Sequence, residues 1–527
     1  MNPVDSVTGT VTANSAPGRG TLLAMSVPDA PTRRSTRALL ALVAGLLICA
    51  AMPPWGWWPL AWIGTAVWAW LLHGRGWKGR LLTGVLVGET WYLPSTLWMV
   101  KFSPVGWPVG VAIWFPLVLG LVSAATHPRR TALTLPAAVV LGEWFRWHAP
   151  FGGVPLSMLA FTQARGPLLE VARTLGTLAV SGAVAAAGCA LFAMARRPSR
   201  TRGVIGAVAL VAVTLLSSWA PNGRAVRSIE VAAIQGGGPQ QTRSANTDYR
   251  VVLGRHIDQA DRIGRPVDLV VMPENIVAIN GEFEGSVEEE RLTELAVRLH
   301  TTLVAGIVDD RADPRHFWNY AVAIGPDGRI ESRYDKVRRV PFGEYVPMRN
   351  LLEPFARDVL PPRDDVEGTG PAVLKTHLGR LGVVISWETF FPRRVREAVH
   401  HDAEIVLNPT NGSSYWLTQV QTQQIAASSL HAVESGRFVV QAAPTGFSAI
   451  IDPDGAVLQR TRIGEGAYLR GEVQLRRGRT LAMWWGEAPV LVASIAALAF
   501  AWALDRRHHR SSAPASAGSP ETERSAP

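Results

Sequence analysis

Leu381-Gly-Val-Val-Ile-Ser-Trp-Glu388 decides how this 527-residue chain is read. An apolar run ends in a small hydroxyl residue, Ser386, and is followed by Trp387, Glu388 and the basic amphipathic stretch Pro392 to His400. The pattern predicts a buried strand, a sharp turn and a helix, the geometry with which nucleophile elbows expose a turn side chain at a strand end. The plainer reading is that Ser386 closes a core strand; a short motif alone does not separate the two.

Around this stretch, residues 228–475 alternate between strand and helix patterns. Strands are expected at Ile229 to Ile234, Val267 to Met272, Thr302 to Val308, Val383 to Ile385, Ile405 to Leu407 and Phe438 to Ala442. Helices are expected at Asp248 to Ile263, Glu288 to His300, Arg393 to His400 and Gln419 to Ser435. Gly325-Pro-Asp-Gly328 and Asp452-Pro-Asp-Gly455, each between apolar alternations, mark hairpins. Helices covering the outer faces of strands imply a layered α/β sandwich.

The rest of the chain is of another kind. With 48% hydrophobic residues and 20 Trp, the composition is that of a mixed membrane protein. Runs that approach the length needed to cross a bilayer fall near 37–53, 57–72, 81–98, 106–125, 131–146, 170–195 and 204–220, with one more at 488–504. Basic residues fill every second connection: Arg33, Arg34 and Arg37; Arg75, Lys78 and Arg80; Arg129 and Arg130; Arg196, Arg197, Arg200 and Arg202; Arg506, Arg507 and Arg510. Cytoplasmic loops are enriched in Lys and Arg, so both termini are expected in the cytoplasm and the α/β block outside. The other loops, such as Pro53 to Pro59 and Glu143 to Pro155, are rich in Trp, Gly and Pro, which an interfacial aromatic belt explains. Glu143 and Arg146 stand apart as a possible ion pair one helical turn apart.

The expected organisation is therefore a disordered cytoplasmic tail (1–36), a seven-span membrane domain (37–222), an extracytoplasmic α/β domain (228–475), an eighth span (488–504) and a second disordered tail (505–527). The net charge of +10 sits in the basic connections, facing anionic headgroups, and needs no nucleic-acid partner. Cys49 and Cys189 both fall in expected spans, so the outer block has neither disulfide nor thiol. His256, His316 and His431 lack metal-ligand spacing, and no phosphate loop is visible, so no metal or cofactor is expected.

Two polar residues of the outer block invite chemistry. Glu274 follows Val270-Val-Met-Pro273, just past a buried strand, where it is either a rigidly held carboxylate or a helix cap. Lys336 lies in Arg333-Tyr-Asp-Lys-Val-Arg-Arg-Val-Pro-Phe-Gly-Glu-Tyr-Val-Pro347 and is one of only four Lys among 52 basic residues. It is either an oxyanion-stabilising point charge or a solvated hairpin charge.

Taken in order, Met272-Pro-Glu274, Lys336 ahead of Pro341-Phe-Gly-Glu344, the strand to residue 386 and Asn408-Pro-Thr-Asn411 resemble the nitrilase (carbon-nitrogen hydrolase) superfamily. Trp57 to Trp62, Glu143-Trp144, Phe151-Gly-Gly-Val-Pro155, Glu434-Ser-Gly-Arg437 and Thr445-Gly446 extend the resemblance to its membrane-embedded branch, the apolipoprotein N-acyltransferases. The resemblance implies a polytopic helical membrane domain of about eight spans plus an extracytoplasmic nitrilase-type αββα sandwich. It implies an acyltransferase of the bacterial inner membrane that moves an acyl chain from a phospholipid to the N-terminal diacylglyceryl-cysteine of a lipoprotein. Glu274 would be the general base and Lys336 the oxyanion stabiliser, with Glu344 and Glu388 as supporting carboxylates.

The chain departs from that pattern at the nucleophile, where the family's Cys is Ser386. A serine is ordinarily activated by an adjacent base, commonly histidine, whereas a cysteine is partly thiolate near neutral pH. The family's Trp in the loop after the first strand is also absent from Gly236 to Asn246. Three readings follow: an N-acyltransferase working through an oxyester on Ser386, a silent paralogue that binds lipid or lipoprotein or supports another membrane enzyme, and a different hydrolase or acyltransferase on the same scaffold.

Overall fold

The computed structural model describes residues 34–102, 106–239, 247–357, 360–413 and 417–511. Residues 1–33 and 512–527 of the two expected tails and most of the loop lacking Trp (240–246) lie outside the described residues, whereas 34–36 and 505–511, expected as tail, continue the first and last helices. The N-terminal helices are α1 (Arg34–Ala51), α2 (Pro59–Leu72), α3 (Trp77–Ser95), α4 (Met99–Phe102), α5 (Phe115–Ala125), α6 (Thr131–Arg146), α7 (Val171–Leu175), α8 (Thr177–Met194) and α9 (Arg200–Ser218). A π-helical turn, Pro108–Trp114, leads into α5. Among the described residues, Arg34–Ala51, Pro108–Ala125, Thr177–Met194, Arg197–Ser218 and Ala488–Asp505 are long and apolar enough to cross a membrane.

One expected span is divided. The run at 170–195 breaks into α7 and α8 at Gly176, whose φ of 81° is open to glycine. A Cβ there would also lie 2.9 Å from Glu434 Oε1, so the joint doubles as a docking point for the α/β part.

The basic connections gather at one end of the helices. Gly74 N donates to Pro128 O (2.8 Å) and Arg196 lies 2.7 Å from His73 Nε2. Asp505, near the end of the last helix, contacts His127 (2.9 Å) and Arg130 (3.0 Å).

Strands β1 (Arg224–Gln235), β2 (Leu269–Val271), β3 (Val277–Ile279), β4 (Thr302–Asp309), β5 (His316–Ile324), β6 (Ile330–Asp335) and β7 (Asp364–Asp365) belong to the first sheet. It runs β14-β1-β2-β4-β5-β6, with β3 on β4 and β7 on β5. Strands β8 (Val373–Thr376), β9 (Gly379–Val383), β10 (Ile405–Pro409), β11 (Val439–Ala442), β12 (Ala449–Ile451) and β13 (Val457–Arg460) form the second, while β14 (Ala467–Arg477) returns to the first. Helices α10 (Tyr249–Ala260) and α11 (Val287–Leu299) accompany the first sheet, α12 (Arg349–Ala356) follows β6, and α13 (Pro392–His400) and α14 (Gln419–Ser435) accompany the second. The chain closes with α15 (Leu481–Trp485) and α16 (Ala488–Ser511).

Strand periodicity dictates the layering, because alternate residues face opposite sides. Ile229, Val231 and Ala233 of β1 meet Ile405 and Leu407 of β10 in the core between the sheets. Their neighbours Ala232 and Ile234 pack with Leu292 and Leu295 of α11, and Val406 packs with Val395 of α13 and Ile425 of α14. The result is helix, sheet, sheet, helix, the nitrilase-type α/β architecture.

A further core joins this sandwich to the membrane helices. Trp387, Phe390 and Phe391, directly after Ser386, and Leu430 and Val433 of α14 pack with Trp91, Phe161 and Leu168. Two glutamines of α14 bind the end of α3: Gln419 Nε2 donates to Pro94 O (2.6 Å) and Gln423 Nε2 to Ser95 O (3.0 Å). The face of the sandwich that carries the 386 turn thus rests on the apolar helices.

Glu143 and Arg146 do not pair with each other. Glu143 Oε1 accepts from Leu159 N (2.6 Å), and Arg146 binds the carbonyl of Leu156 and Tyr92 Oη (3.3 Å). Buried main-chain groups of the 154–159 segment take both side chains, since that irregular backbone has no ladder to satisfy it.

Candidate active site

Glu274 sits three residues past β2, 2% exposed, on a turn pressed against β4. Gly306 permits this approach: a Cβ there would fall 2.5 Å from Glu274 Cα. Gly306 N donates to Pro273 O (3.1 Å) and Ile276 N to Gly306 O (3.2 Å), clamping both sides of the turn. The Glu274 side chain caps no helix and is directed instead at Lys336, Asn319 and Asn411. Oε1 accepts from Lys336 Nζ and Asn319 Nδ2, both at 2.8 Å, and Oε2 from Asn411 N at 2.9 Å.

Lys336 follows β6 and is fully buried, which excludes the solvated-hairpin reading. Its ammonium lies 2.8 Å from Glu274 and 2.5 Å from Glu344. Burial alone would lower its pKa, but the two carboxylates outweigh burial and raise it, so Lys336 stays charged. Burial raises the Glu344 carboxyl against the pull of Lys336. Its Oε2 accepts from Val340 N (2.8 Å), which closes the 336–344 loop onto the site.

Ser386 has the left-handed φ of 53° expected of an elbow and stands at the head of a short 3₁₀ turn, Ser386–Phe390, that leads into α13. The strand itself ends at Val383, two residues earlier than the sequence pattern suggests, because the chain tightens toward this turn. A positive φ on a non-glycine residue costs on the order of 1–3 kcal/mol and needs support from its surroundings. Glu388, fully buried, supplies it: Oε2 accepts from Ile385 N (2.8 Å), and Oε1 from Val337 N (2.9 Å) and Arg338 N (3.0 Å). One carboxylate therefore holds the Ser386 turn and the Lys336 loop in fixed relation. Tyr334 Oη lies 2.8 Å from Glu388 Oε1 and takes a bond from Arg394 (2.7 Å); burial and then Glu388 raise its pKa, keeping it a phenol.

Among the described residues, Ser386 makes no direct hydrogen bond to Glu274 or Lys336. The link runs through the end of β10, where Thr410 Oγ1 donates to Ser386 Oγ (3.3 Å) and the next residue, Asn411, donates its amide to Glu274. Gln424 Nε2 of α14 donates to Thr410 Oγ1 (3.0 Å) and fixes its hydroxyl.

Glu274, Lys336 and Glu344 thus form one ion cluster, with Ser386 and Glu388 on the adjoining turn. Asn319, Tyr334, Asp365, Thr410 and Gln424 were not singled out from sequence. Tyr334, Thr410 and Asn411 lie inside the motif stretches and were within reach; Asn319 sits in an unremarkable strand and carries no local pattern. Chemically, a buried ammonium beside a carboxylate, next to a strained serine turn, suits proton transfer and stabilisation of an oxyanion.

The chain matches two family models: carbon-nitrogen hydrolase over residues 230–482 and apolipoprotein N-acyltransferase N-terminal domain over residues 44–190. It is 29% identical to an apolipoprotein N-acyltransferase of Mycolicibacterium smegmatis, over 88% of this chain and 84% of that one. It is 28% identical to an apolipoprotein N-acyltransferase of Geobacter metallireducens, over 90% of this chain and 94% of that one. Among solved structures, Saccharomyces cerevisiae Nit3, a member of branch 10 of the nitrilase superfamily, aligns at 19% identity and a TM-score of 0.38, over 47% of this chain and 91% of that one.

Proposed function

Because the chain belongs to the apolipoprotein N-acyltransferase family, we propose that it transfers an acyl chain from a phospholipid to the α-amino group of an N-terminal diacylglyceryl-cysteine, through an ester on Ser386. The observation that carries this reading is the Lys336 ammonium held between Glu274 and Glu344, beside a serine in elbow conformation.

The steps follow from that arrangement. Glu274 takes the Ser386 hydroxyl proton as Oγ attacks the donor ester carbonyl, and Lys336 faces the negative charge that develops on the carbonyl oxygen. The tetrahedral species collapses, the lysophospholipid leaves with the proton held by Glu274, and the acyl group remains on Oγ. The lipoprotein amine then attacks this ester. It gives its proton to Glu274, which returns one to Oγ as the amide forms and Ser386 is regenerated. Glu344 orients Lys336, and Glu388 holds the turn.

The surroundings fit amphiphilic substrates. The Ser386 turn rests on Trp387, Phe390 and Phe391, which pack with the apolar helices, so acyl chains reach the site from the bilayer. We assign the membrane portion to 37–222 with a last span at 488–504, eight spans in all, and the catalytic domain to 228–475. The end that gathers Arg75, Arg129, Arg130 and Arg196 faces the cytoplasm, which sets the catalytic domain on the outer side of the inner membrane. The contacts joining the 73–75, 127–130 and 196 connections and Asp505 support one common side for them.

The test is mass spectrometry of products from phospholipid and a diacylglyceryl-lipopeptide. Triacylated peptide from the wild type and none from Ser386→Ala is the expected result. Equal product from both would remove Ser386 from the reaction, and product from neither would leave the scaffold without this activity.

A further inference from the structure

A polar cavity lies away from the Glu274 cluster. It is a cleft of about 720 Å³ at the edge of the second sheet, where Lys375, Arg380, Arg437, Arg477 and Arg479 converge with Asp402, Glu404 and Trp484. Strand β9 begins in this cleft at Gly379 and Arg380 and runs from there toward Ser386. Seven residues of near-extended chain separate Gly379 from Ser386, roughly 20 Å. The cleft is therefore no extension of the reaction centre.

Its charge is not balanced from within. Glu404 is taken by Arg477 (2.5 Å) and Asp402 by Arg380 (3.2 Å). Lys375 is exposed and has no ion pair among the described residues. Arg479 lies over the Trp484 ring, 5.1 Å from its centroid, with one bond to His400 O (3.4 Å). Arg437 is only 2% exposed, and its donors reach main-chain carbonyls of Ala403, Ser435, Gly436 and Gly478 with no carboxylate among them. Burial, then the neighbouring Arg476, pushes its pKa down to about 10, which leaves it a cation at neutral pH. Five cations against two carboxylates, one of the cations buried, leave a site whose missing component is an anion.

The position of the cleft says what kind. Trp484 and Trp485 are 59% and 50% exposed on α15, just ahead of α16, whose apolar residues begin at Ala488. Exposed Trp beside a span settles at the headgroup level of a bilayer. Helix α13 is fastened there too, since Arg396 Nε (3.3 Å) and His400 Nε2 (2.8 Å) both lie within hydrogen-bond reach of Met483 O. A phosphodiester at that depth meets the uncompensated Lys375 and Arg479 while its chains stay in the bilayer.

We propose that this cleft binds the phosphate headgroup of an anionic phospholipid and so anchors the α/β part to the bilayer beside α16, at a site separate from acyl transfer. This goes beyond the acyl-transfer reading and rests only on α16 crossing the membrane.

Native mass spectrometry of the full-length protein in mild detergent tests it, with phosphatidylglycerol or phosphatidylethanolamine added in turn. Wild type is expected to retain phosphatidylglycerol in preference to phosphatidylethanolamine, and Lys375→Gln/Arg479→Gln to lower that retention about tenfold or more. Arg250→Gln/Arg298→Gln removes two charges that are 69% and 50% exposed on the other layer and is expected to change nothing. Because Arg380 is exposed, Arg380→Gln serves as an independent second variant should the double substitution fail to fold. Equal retention by the cleft variants and wild type would overturn the proposal, as would equal retention of phosphatidylethanolamine. Displacement of the lipid by matched glycerol 3-phosphate would also overturn it, in favour of a soluble phosphate site.

Discussion

The Thr410 hydroxyl donates to Ser386 Oγ across 3.3 Å, while its own oxygen is already occupied by Gln424. A donor locked in this way leaves the Ser386 proton free to travel toward the base and stabilises negative charge on Oγ. Its loss costs about 1.5–3 kcal/mol where the acceptor becomes charged. Thr410→Val is expected to slow labelling of Ser386 by a fluorophosphonate, and acyl transfer, by about 10- to 100-fold. Thr410→Ser should restore both. If Thr410→Val is as fast as wild type, the contact has no part in activating the nucleophile.

Ser386→Cys tests whether the frame around the proposed nucleophile is intact. A thiol needs less help than an alcohol to become nucleophilic, so acyl transfer is expected to rise. Dependence on Thr410 should shrink in this background, because sulfur is a weak acceptor. A folded Ser386→Cys protein with no detectable transfer would show that the surrounding groups no longer support catalysis.

Glu274→Gln keeps the shape of the site and removes the proposed base. The amide still offers one oxygen to Lys336, Asn319 or Asn411, so the fold should persist. Acyl transfer should drop by about 10²–10⁴-fold, the usual worth of a positioned general base. Melting curves together with product formation separate these effects, and activity surviving in the variant would place the base elsewhere.

Much of this arrangement is legible in the sequence, for identifiable reasons. Helix α14 has the bounds Gln419–Ser435 that its pattern suggests, and both Pro-Asp-Gly hairpins fall between paired strands, because local propensity and burial agree there. Glu274 and Lys336 stand out because a charge beside a buried strand end is unusual. Three features depend on contacts between distant segments and leave no local trace: the approach of Asn319 to Glu274, the division of the 170–195 run by Gly176 against Glu434, and the commitment of Glu143 and Arg146 to the 154–159 backbone.

Asp365 makes stability pH-dependent. Burial and then Glu344 raise its carboxyl pKa. Glu344 touches the Lys336 ammonium at 2.5 Å, whereas Asp365 has no ion pair among the described residues and its Oδ2 has no partner, so Asp365 is the group that holds the proton. The unfolded chain releases that proton above a pKa of about 3.9. This contribution to stability is therefore complete below that value and is lost as pH rises toward the raised folded pKa. Asp365→Asn mimics the protonated form and should flatten the decline of melting temperature between about pH 4 and the raised folded value of about 9, while leaving activity at neutral pH within about twofold. An unchanged slope would assign the titration to another group.

Glu388 separates holding the fold from setting the site. Its carboxylate takes the amides of Ile385, Val337 and Arg338 and lies beside Tyr334 and Arg394 (3.6 Å), all in a buried setting. Glu388→Ala would leave these donors unmet and is expected to destabilise the chain by about 3–5 kcal/mol, as breaking a buried pair does. Tyr334→Phe removes the bond to Glu388 and the acceptor for Arg394 and should cost about 1–3 kcal/mol. If Glu388 only held the fold, activity in both variants would fall in proportion to the folded fraction measured by thermal unfolding. Glu388 instead fixes the positive-φ Ser386 turn against the Lys336 loop. The folded fraction of Glu388→Gln, with two acceptors reduced to one, is therefore expected to lose turnover well beyond its loss of stability, with kcat changing more than KM.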